Sequence, residues 1–457
     1  MRMEITVPDK VASIIKKLQD AGFEAYAVGG CVRDSYLGLC PNDWDITTNA
    51  HPTQVKALFR RTIDIGIEHG TVKVMMGNDG YEITTYRIDG EYEDSRHPKE
   101  VTFTSDLGED LRRRDLTINA MAYSQKTGIV DLFGGIDDLK AGIIRAVGDP
   151  KERFTEDALR MLRALRFSAR FGYDIDADTL NAVKELAPTL SKISAERIRE
   201  EFEKLICSDN PDRMREAYTL GITKVFFPEW DSMMECKQNT PHHFTNVGDH
   251  TIAAMEYIVK NYHDIPAADS RLLRIATLLH DIAKPVCKTT GEDGVDHFKG
   301  HPVEGVGLAE GFLRRLKYDN DTIAAVKKLV RYHDERPSLT YPSVRRFIAD
   351  VGVSNMDNLM RLKYADLYAH TDYLWDEKLY QVETLGEMYR KITDDKDCLS
   401  IKDLAVNGHD LMKEGFAAGP ALGDALGKLL DIVLDDPSMN DKEKLLKALH
   451  GKCDEKH

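Results

Sequence analysis

No run of apolar residues in this 457-residue chain approaches the roughly 20 that a membrane-spanning helix needs, so no membrane partner is expected. The N-terminus, MRMEITVPDK, lacks an apolar stretch behind a basic start, which predicts no signal peptide. Cysteine is scarce and scattered: residues 31, 40, 207, 236, 287, 398 and 453 form no CxxC and no paired spacing. That argues against a disulfide framework and a zinc ribbon, and predicts a reduced, cytoplasmic setting. Net positive charge is also lacking. A formal charge of −15 excludes a protein that coats nucleic acid over its whole surface. Local recognition stays open because the arginines cluster, as Arg112, Arg113 and Arg114 in one run and Arg160, Arg163, Arg166 and Arg170 in another. There is no internal repeat and no low-complexity tract.

What is present is ordinary for a globular protein: 42% hydrophobic and 30% charged residues, in a chain long enough for about three domains. Residues 1–148 read as mixed helix and strand. A helix near 8–20 leads to the apolar strand EAYAVGG, a Gly-Gly turn opens a short helix from Cys31 to Leu37, and DWDITT forms a second strand. A helix from about Pro52 to Arg60 carries proline in its first turn, and further strands are expected at 62–67, 71–76 and 81–87. The polar stretch 89–100, DGEYEDSRHPKE, reads as a long mobile loop. From Asp149 helical periodicity takes over. FTEDALRMLRALRFSARF predicts one amphipathic helix with Leu159, Leu162, Leu165 and Phe167 on its apolar side. Further helices are expected over 177–235, a domain boundary in KQNTPHHFTNVGDH (237–250), helices rich in His and Asp over 250–370, and a helical tail over 371–457. The fold class is therefore α+β, a head with a mixed sheet followed by all-α regions.

The first chemical constellation lies in GGCVRDSYLGLCPNDWDITTNA (29–50). Asp43 and Asp45 are two apart in a β-like run, so their carboxylates share one face. Carboxylates that close repel unless cations neutralise them. Hard oxygen donors of this kind suit Mg²⁺ shared with substrate phosphates, as in-line displacement at phosphorus requires. Gly29 and Gly30 let backbone amides approach phosphate, and Arg33 can pair a phosphate oxygen. Glu82, in YEITTYR, is the candidate third metal carboxylate.

GG-x-V-R-D followed nine residues later by D-x-D resembles the signature of the DNA polymerase beta nucleotidyltransferase superfamily, in the branch of bacterial tRNA nucleotidyltransferases and poly(A) polymerases. RRRDLTINAMA (112–122) looks like its second motif, which implies triphosphate and ribose contacts for Arg113, Arg114, Asp115 and Asn119. DLFGGIDDLKAGIIRAVGDP (131–150) looks like the hinge between a catalytic head and a helical neck, and EDALRMLRALRF (156–167) like the E-D-x-x-R motif. The resemblance, which covers roughly residues 22–230, implies that Asp157 and Arg160 read the nucleobase. As neighbours three apart on a helix they would present an acceptor beside a fork of donors. That pair matches the exocyclic amine and ring nitrogen of cytosine and adenine and mismatches guanine and uracil. Arg163 and Arg166 continue toward the triphosphate. Arg87 borders the 89–100 loop, which the family associates with adding the final A.

A second constellation, His250, His280–Asp281, His301, His333 and Asp366, has the order H…HD…D and resembles the HD phosphohydrolase superfamily. The resemblance implies His250, His280, Asp281 and Asp366 as the minimal metal set, with His301 and His333 as added ligands. Imidazole with carboxylate suits a divalent transition metal. A degenerate HD site that keeps its ligands without activity stays open as an alternative.

The expected organisation is a nucleotidyltransferase head over 1–148, a helical neck and body binding nucleobase and tRNA over 149–238, an HD domain over 239–370 and a tRNA-binding tail over 371–457. The expected activity is template-independent addition of CCA to the 3′ end of tRNA from CTP and ATP with Mg²⁺, the acceptor arm and 3′ end being the partner. No obligate protein partner is called for. The alternatives are a poly(A) polymerase, which shares every head motif, and an HD phosphohydrolase whose head only docks RNA.

Overall fold

Short apolar strands build a seven-stranded mixed sheet in the first part of the chain, of which the computed structural model describes residues 5–90, 101–243 and 245–451. Its strands are β1 (Ala25–Val28), β2 (Asp45–Thr48), β3 (Thr62–Asp64), β4 (Thr71–Met76), β5 (Asp79–Thr85), β8 (Met121–Ser124) and β9 (Gly128–Asp131), in the order β3-β4-β5-β2-β1-β8-β9. Only β2 and β5 run parallel, with Ile46 opposite Ile83; the other neighbours are antiparallel. A separate ladder pairs β6 (Arg87–Asp89) with β7 (Val101–Phe103). The expected strand at 62–67 is shorter, giving way to a 3₁₀ turn at Ile67–His69 between two glycines in left-handed or related conformations. The loop expected at 89–100 falls for residues 91–100 outside the described residues.

The head's helices are α1 (Asp9–Asp20), α2 (Gly30–Tyr36), α3 (Pro52–Leu58), α4 (Leu107–Arg112) and α5 (Gly135–Ala141). Val28, Leu111 and Ala122 are buried together between sheet and helix, with Tyr26, Leu107, Val130 and Phe133 packed around them. After this the chain is helical: α6 (Pro150–Glu156), α7 (Leu159–Phe171), α8 (Ala177–Leu186), α9 (Ala195–Ile206), α10 (Arg213–Thr219) and α11 (Thr223–Phe226). A small parallel pair, Ile143–Ile144 with Asp174–Ile175, was not legible in the sequence, being two residues per strand.

The single helix expected over 154–171 is two helices. Asp157 is extended, with φ −140 and ψ 104, and its carboxylate accepts a hydrogen bond from the Leu159 amide at 3.0 Å. Aspartate satisfies a helix N-terminus better than it continues a helix, so the local cap outweighs the apolar periodicity that runs through it. The apolar side is as expected: Leu159, Leu162, Leu165 and Phe167 are all buried.

The chain divides into two compact units, residues 1–228 and 229–457. Helices α12 (Pro228–Glu235), α13 (Val247–Asn261), α14 (Ala267–Leu279), α15 (Lys284–Cys287), α16 (His301–Arg315), α17 (Asn320–Tyr332), α18 (Tyr341–Val351), α19 (Val353–Tyr368) and α20 (Trp375–Asp394) lead into three terminal helices. Leu273, Leu329, Phe347, Leu359 and Leu385 form the core of this bundle, one from each of five helices. A two-residue hairpin, Thr289–Thr290 with Asp296–His297, is its only ladder among the described strands. No described helix is long and apolar enough to cross a membrane.

Candidate functional site

Two clusters of chemistry-bearing side chains stand out, one in each unit. In the first, Asp43 and Asp45 are exposed on either side of buried Trp44, so the alternation puts both carboxylates on one side of the chain entering β2. The parallel register sets Glu82, just before Ile83, beside Asp45 at the start of the paired segment. Packing desolvates the Asp45 carboxyl and raises its pKa; Glu82 and Asp43 add to the shift, and Arg114 opposes it. Glu82 is also paired with Lys73 across β4, at 3.3 Å. Three carboxylates thus share one field, an arrangement that a divalent cation would relieve.

Gly29 adopts φ +82 and ψ −129 at the start of α2, where a Cβ would stand 2.8 Å from Arg114 Nη1. Glycine is therefore required twice, for the dihedral and for the close approach of Arg114. Gly30 begins α2 itself. The Arg114 Nε is buried without a hydrogen-bond partner among the described residues. A buried, unspent guanidinium donor beside carboxylates is a place for a phosphate oxygen.

The arginine run is anchored by Asp110, a fully buried residue that sequence reasoning missed. Its carboxylate accepts from Thr47 and Arg113, each at 3.0 Å. Burial pushes its pKa up, but Arg113 and Arg114 outweigh that and hold it below the usual carboxylate range. The only sequence signal was the spacing of three and four between Asp110 and these arginines. Asp115 behaves alike: buried, it accepts from Arg163 Nε at 2.7 Å and Asn119 at 3.1 Å, which override the burial and keep it well below its ordinary value.

A cleft of about 680 Å³ is lined by Arg113, Arg114, Asp115, Asp157, Leu159, Arg160, Arg163 and Arg197. Asp157 and Arg160, expected as side-by-side neighbours on one helix, do not pair with each other. Arg197, from α9, donates to Asp157 at 2.7 Å, and Arg160 donates to Glu156 at 2.6 Å and to the carbonyl of Arg113 at 3.0 Å. Both still line the cleft. Arg197 was missed because it lies 40 residues from Asp157 in an unremarkable helix. Of the expected nucleotide-binding residues, Gly29, Gly30, Arg33, Asn119 and Arg166 stand outside the lining. Arg33 is buried against Asp34, donates to Asn119 Oδ1, and has its guanidinium 4.8 Å from the Phe167 ring centre. Arg166 pairs with Glu201 at 2.6 Å and covers Phe167 at 3.8 Å. Desolvation lowers the Arg166 pKa to about 10. These two arginines brace the cleft from behind.

The second unit gathers its histidines from helix ends. His250 lies in α13, His280 caps α14 and is followed by Asp281, His301 starts α16 after Gly300 in the left-handed conformation, His333 caps α17, and Asp366 lies in α19. Single donor atoms of His250, His280, Asp281 and Asp366 fall within 4.8 Å of one another, as do those of Asp281, His301 and His333. In all four histidines Nδ1 is spent on a main-chain carbonyl: Ala369 at 3.2 Å, Thr277 at 2.6 Å, Phe298 at 2.9 Å and Val330 at 2.7 Å respectively. That fixes each ring and turns Nε2 inward. His250 Nε2 meets Asp366 at 2.9 Å, while His301 Nε2 and His333 Nε2 face each other at 3.2 Å. Two acceptor nitrogens at that distance need a cation or a proton between them. His280 Nε2 and Asp281 Oδ2 are buried and make no hydrogen bond; they lie 3.3 Å from each other, with the Lys284 ammonium 2.6 Å from Asp281 Oδ2. The donor set and its unmet atoms fit a divalent metal.

A third group, His243, His250 and His370, also closes to within 4.8 Å. His243 and His370 were missed. The signals were there: His243 sits in the HH pair of the segment read only as a boundary, and His370 is four residues beyond Asp366, on the same helical side. Lys284 forms an ion pair with Asp281 at 2.6 Å and donates to Gln238 at 3.1 Å, contacts outside the expected set.

Comparison with known proteins bears on both units. A family model described as "Poly A polymerase head domain" matches residues 25–145, one for the probable RNA and SrmB-binding site of polymerase A matches 172–234, and one for tRNA nucleotidyltransferase domain 2 matches 306–449. The chain is 35% identical over 438 residues to a CCA-adding enzyme of Limosilactobacillus fermentum, covering 95% of this chain and 94% of that one. A CCA-adding enzyme of Leuconostoc mesenteroides is 51% identical over 227 residues, a match that spans 49% of this chain and 57% of the relative. Among solved structures, the Bacillus stearothermophilus CCA-adding enzyme in complex with CTP is similar with a TM-score of 0.65 and 28% identity, over 96% of each chain. The Thermotoga maritima CCA-adding enzyme complexed with tRNA shares the fold, with a TM-score of 0.57 and 21% identity.

Proposed function

The chain belongs to the family of CCA-adding enzymes, and from that premise we propose that it extends the 3′ end of tRNA with C, C and A from CTP and ATP, without a nucleic-acid template. The observation that carries this reading is the cleft in which Asp157 and Arg160 share a wall with Arg113, Arg114 and Arg163, in the same unit as the Asp43–Asp45 pair. The tRNA 3′-hydroxyl attacks the α-phosphate, a new P–O bond forms, and the bond to the bridging oxygen breaks with release of pyrophosphate.

Nucleotidyltransferases of this superfamily use divalent metals, and the chain has groups able to hold them. Our finer reading is Mg²⁺ held by Asp43, Asp45 and Glu82, where it would lower the pKa of the attacking hydroxyl and offset charge on the leaving pyrophosphate. Gly29 and Gly30 admit the phosphates close to the backbone, and Arg114 and Arg113 meet the triphosphate. Asp115 and Asn119 hold the ribose side in register, and Arg33 and Arg166 keep the wall rigid. Asp157 accepts from the exocyclic amine of cytosine or adenine while Arg160 donates to the ring nitrogen. To do so each must leave its present partner, Arg197 or Glu156, so base recognition is an exchange of ion pairs. Guanine and uracil cannot complete that exchange and would strand a buried charge, at a cost of about 1–3 kcal/mol.

We read residues 1–148 as the catalytic head, 149–238 as neck and body, 239–370 as an HD domain and 371–457 as a tRNA-binding tail, the duplex acceptor arm being held by shape and phosphate contacts. Support comes from the seven-stranded sheet, which ends at Asp131, and from the mainly helical run that begins at Pro150. The packing itself divides the chain at 228, so residues 229–238 fold with the second unit. In that unit, His250, His280, Asp281, His301, His333 and Asp366 would hold a divalent transition metal for phosphoester hydrolysis. The scattered cysteines and the absence of a membrane-crossing helix among the described residues support a cytoplasmic protein.

The test is incorporation on a tRNA lacking CCA, with Mg²⁺ and each nucleotide alone and together. Two C additions, one A and then a stop are expected. A long A ladder would move the chain to the poly(A) polymerases, and no incorporation would leave hydrolysis by the second unit as its main activity.

A further inference from the structure

Three lysines are buried around the metal-ligand cluster of the second unit, and two of them are fully occupied. Lys284 is engaged by Asp281 and Gln238, and Lys363 donates to the carbonyls of His333 and Glu335 at 2.7 Å each. Lys378 is different. It comes from α20, outside the H…HD…D pattern, its side chain is 5% exposed, and its ammonium is buried with no hydrogen-bond partner. A buried cation left unpaired is unfavourable, so a structure that keeps one there is built to receive an anion.

Where that anion would come from follows from the cavities. Lys378 lines a cavity of about 400 Å³ together with Asp281, His301, His333, Asp366 and His370, so it faces the same space as the metal ligands. On its other side lies a narrow, apolar-walled pocket of about 50 Å³ made by Leu339, Leu367, Val382 and Leu385, too small for an organic ligand. Arg336 lines both and is more than half exposed, its carboxylate neighbour Asp334 lying 3.9 Å away. The acids on the metal side, Asp281 and Asp366, belong to the ligand set and are neutralised once a cation binds. The cations on the opposite side are then left for the substrate.

We propose that Lys378, with Arg336, grips a non-bridging oxygen of a phosphoryl group lying at the metal-ligand cluster. The substrate class is a phosphate monoester. A free nucleoside monophosphate and an RNA end bearing a 3′-phosphate share this chemistry. This assignment rests on the HD reading of the second unit. It adds a substrate-binding residue that the metal-ligand pattern does not contain.

The experiment uses the full chain loaded with Mn²⁺. Bound metal is counted by elemental analysis, and titration calorimetry measures inorganic phosphate and cytidine 5′-monophosphate. The expected result is that Lys378→Gln binds phosphate about tenfold more weakly or worse at unchanged metal content, Lys378→Arg recovers part of the loss, and Arg336→Gln gives a smaller one. Cytidine monophosphate, a phosphate monoester, should lose affinity in parallel with phosphate. Phosphate affinity unchanged in Lys378→Gln overturns the assignment, as does a wild-type chain that binds no phosphate. If Lys378→Gln does not fold, the exposed Arg336→Gln carries the test, and unchanged affinity there overturns the grip. Should no Mn²⁺ bind, the metal reading fails by itself; phosphate binding to the metal-free chain that depends on Lys378 would still uphold the anion site, and its absence would overturn it. Competition between cytidine monophosphate and a short oligonucleotide with a 3′-phosphate then tells which source the site prefers.

Discussion

The two units hold their chemistry in opposite ways. In the first, the carboxylates proposed for metal, Asp43 and Asp45, are exposed, and the cleft beside them is lined by guanidinium groups already engaged with carboxylates of the same unit. In the second, His250, His280 and Asp281 are at most 1% exposed, and His280 Nε2 and Asp281 Oδ2 make no hydrogen bond. Carboxylates that reach the surface keep part of their hydration without an ion, even where packing desolvates one of them as at Asp45, so a metal can arrive with its nucleotide and leave with pyrophosphate. Buried imidazoles and carboxylates cannot stay hydrated, and favour a resident metal. The arginine cleft is a set of exchangeable ion pairs suited to changing occupants, while the histidine cluster is a fixed cage. A site that must accept C, C and then A needs the first kind of wall; a hydrolytic centre needs the second.

The comparison predicts independence, and Asp45→Ala tests it most severely. Nucleotide incorporation should fall by about 10³-fold or more, as loss of charge stabilisation at the reacting phosphate requires, while the metal content of the second unit stays the same. If the second unit also lost its metal, the two sites would not be separate. The reciprocal variant, Asp281→Asn, should weaken metal binding in the second unit by about 100-fold and leave CCA addition within about twofold. Elemental analysis alongside primer extension reads both halves. Sharper still on the nature of the cleft is Asp157→Ala, which frees Arg197 and removes the acceptor for the exocyclic amine. The kcat/KM ratio of CTP to UTP should drop by about 10- to 100-fold; an unchanged ratio would sink the protein-template reading.

The smallest effect concerns pH. Asp115 is held well below the ordinary carboxylate value by Arg163 and Asn119 in spite of its burial. A carboxyl depressed in the folded state stabilises the protein above its unfolded pKa, about 3.9, and that contribution is lost as pH falls toward the folded value. Urea midpoints of wild type and Asp115→Asn should therefore differ most at neutral pH and converge below about pH 4. Curves that stay parallel down to acid pH would mean that the Asp115–Arg163 pair contributes nothing through its charge.

Much of this was legible before any coordinates, for identifiable reasons. Alternation about Trp44 put Asp43 and Asp45 on one side, which follows from a period of two along a strand. Glu82 was legible only as a candidate on a neighbouring strand, and it is the pairing of β5 with β2 that sets it beside Asp45. The histidine set was legible because its members fall at the ends of apolar helices, where a short polar break must be a cap or a ligand. The break at Asp157 was not. Periodicity scores a helix by its apolar face, and that face continues from α6 into α7, whereas the kink depends on one side chain turning to cap an amide. Arg197 was invisible because its partner Asp157 lies 40 residues away, a separation no local pattern encodes, and Asp110 offered only its spacing of three and four to Arg113 and Arg114.

The sequence by itself determined the class of fold, the order of its regions, the carboxylate pair, the arginine runs and the ordered histidines, since all of these are matters of local spacing and side-chain chemistry. Only the tertiary structure decided which arginines face the cleft and which brace it, where the long helix breaks, that His243 and His370 join the histidine cluster, and that Lys378 reaches the same cavity from α20. Those outcomes depend on how buried charges find partners across tens of residues. A charge in a low-dielectric interior is governed by what lies within a few ångströms of it in space, and sequence spacing carries no information about that.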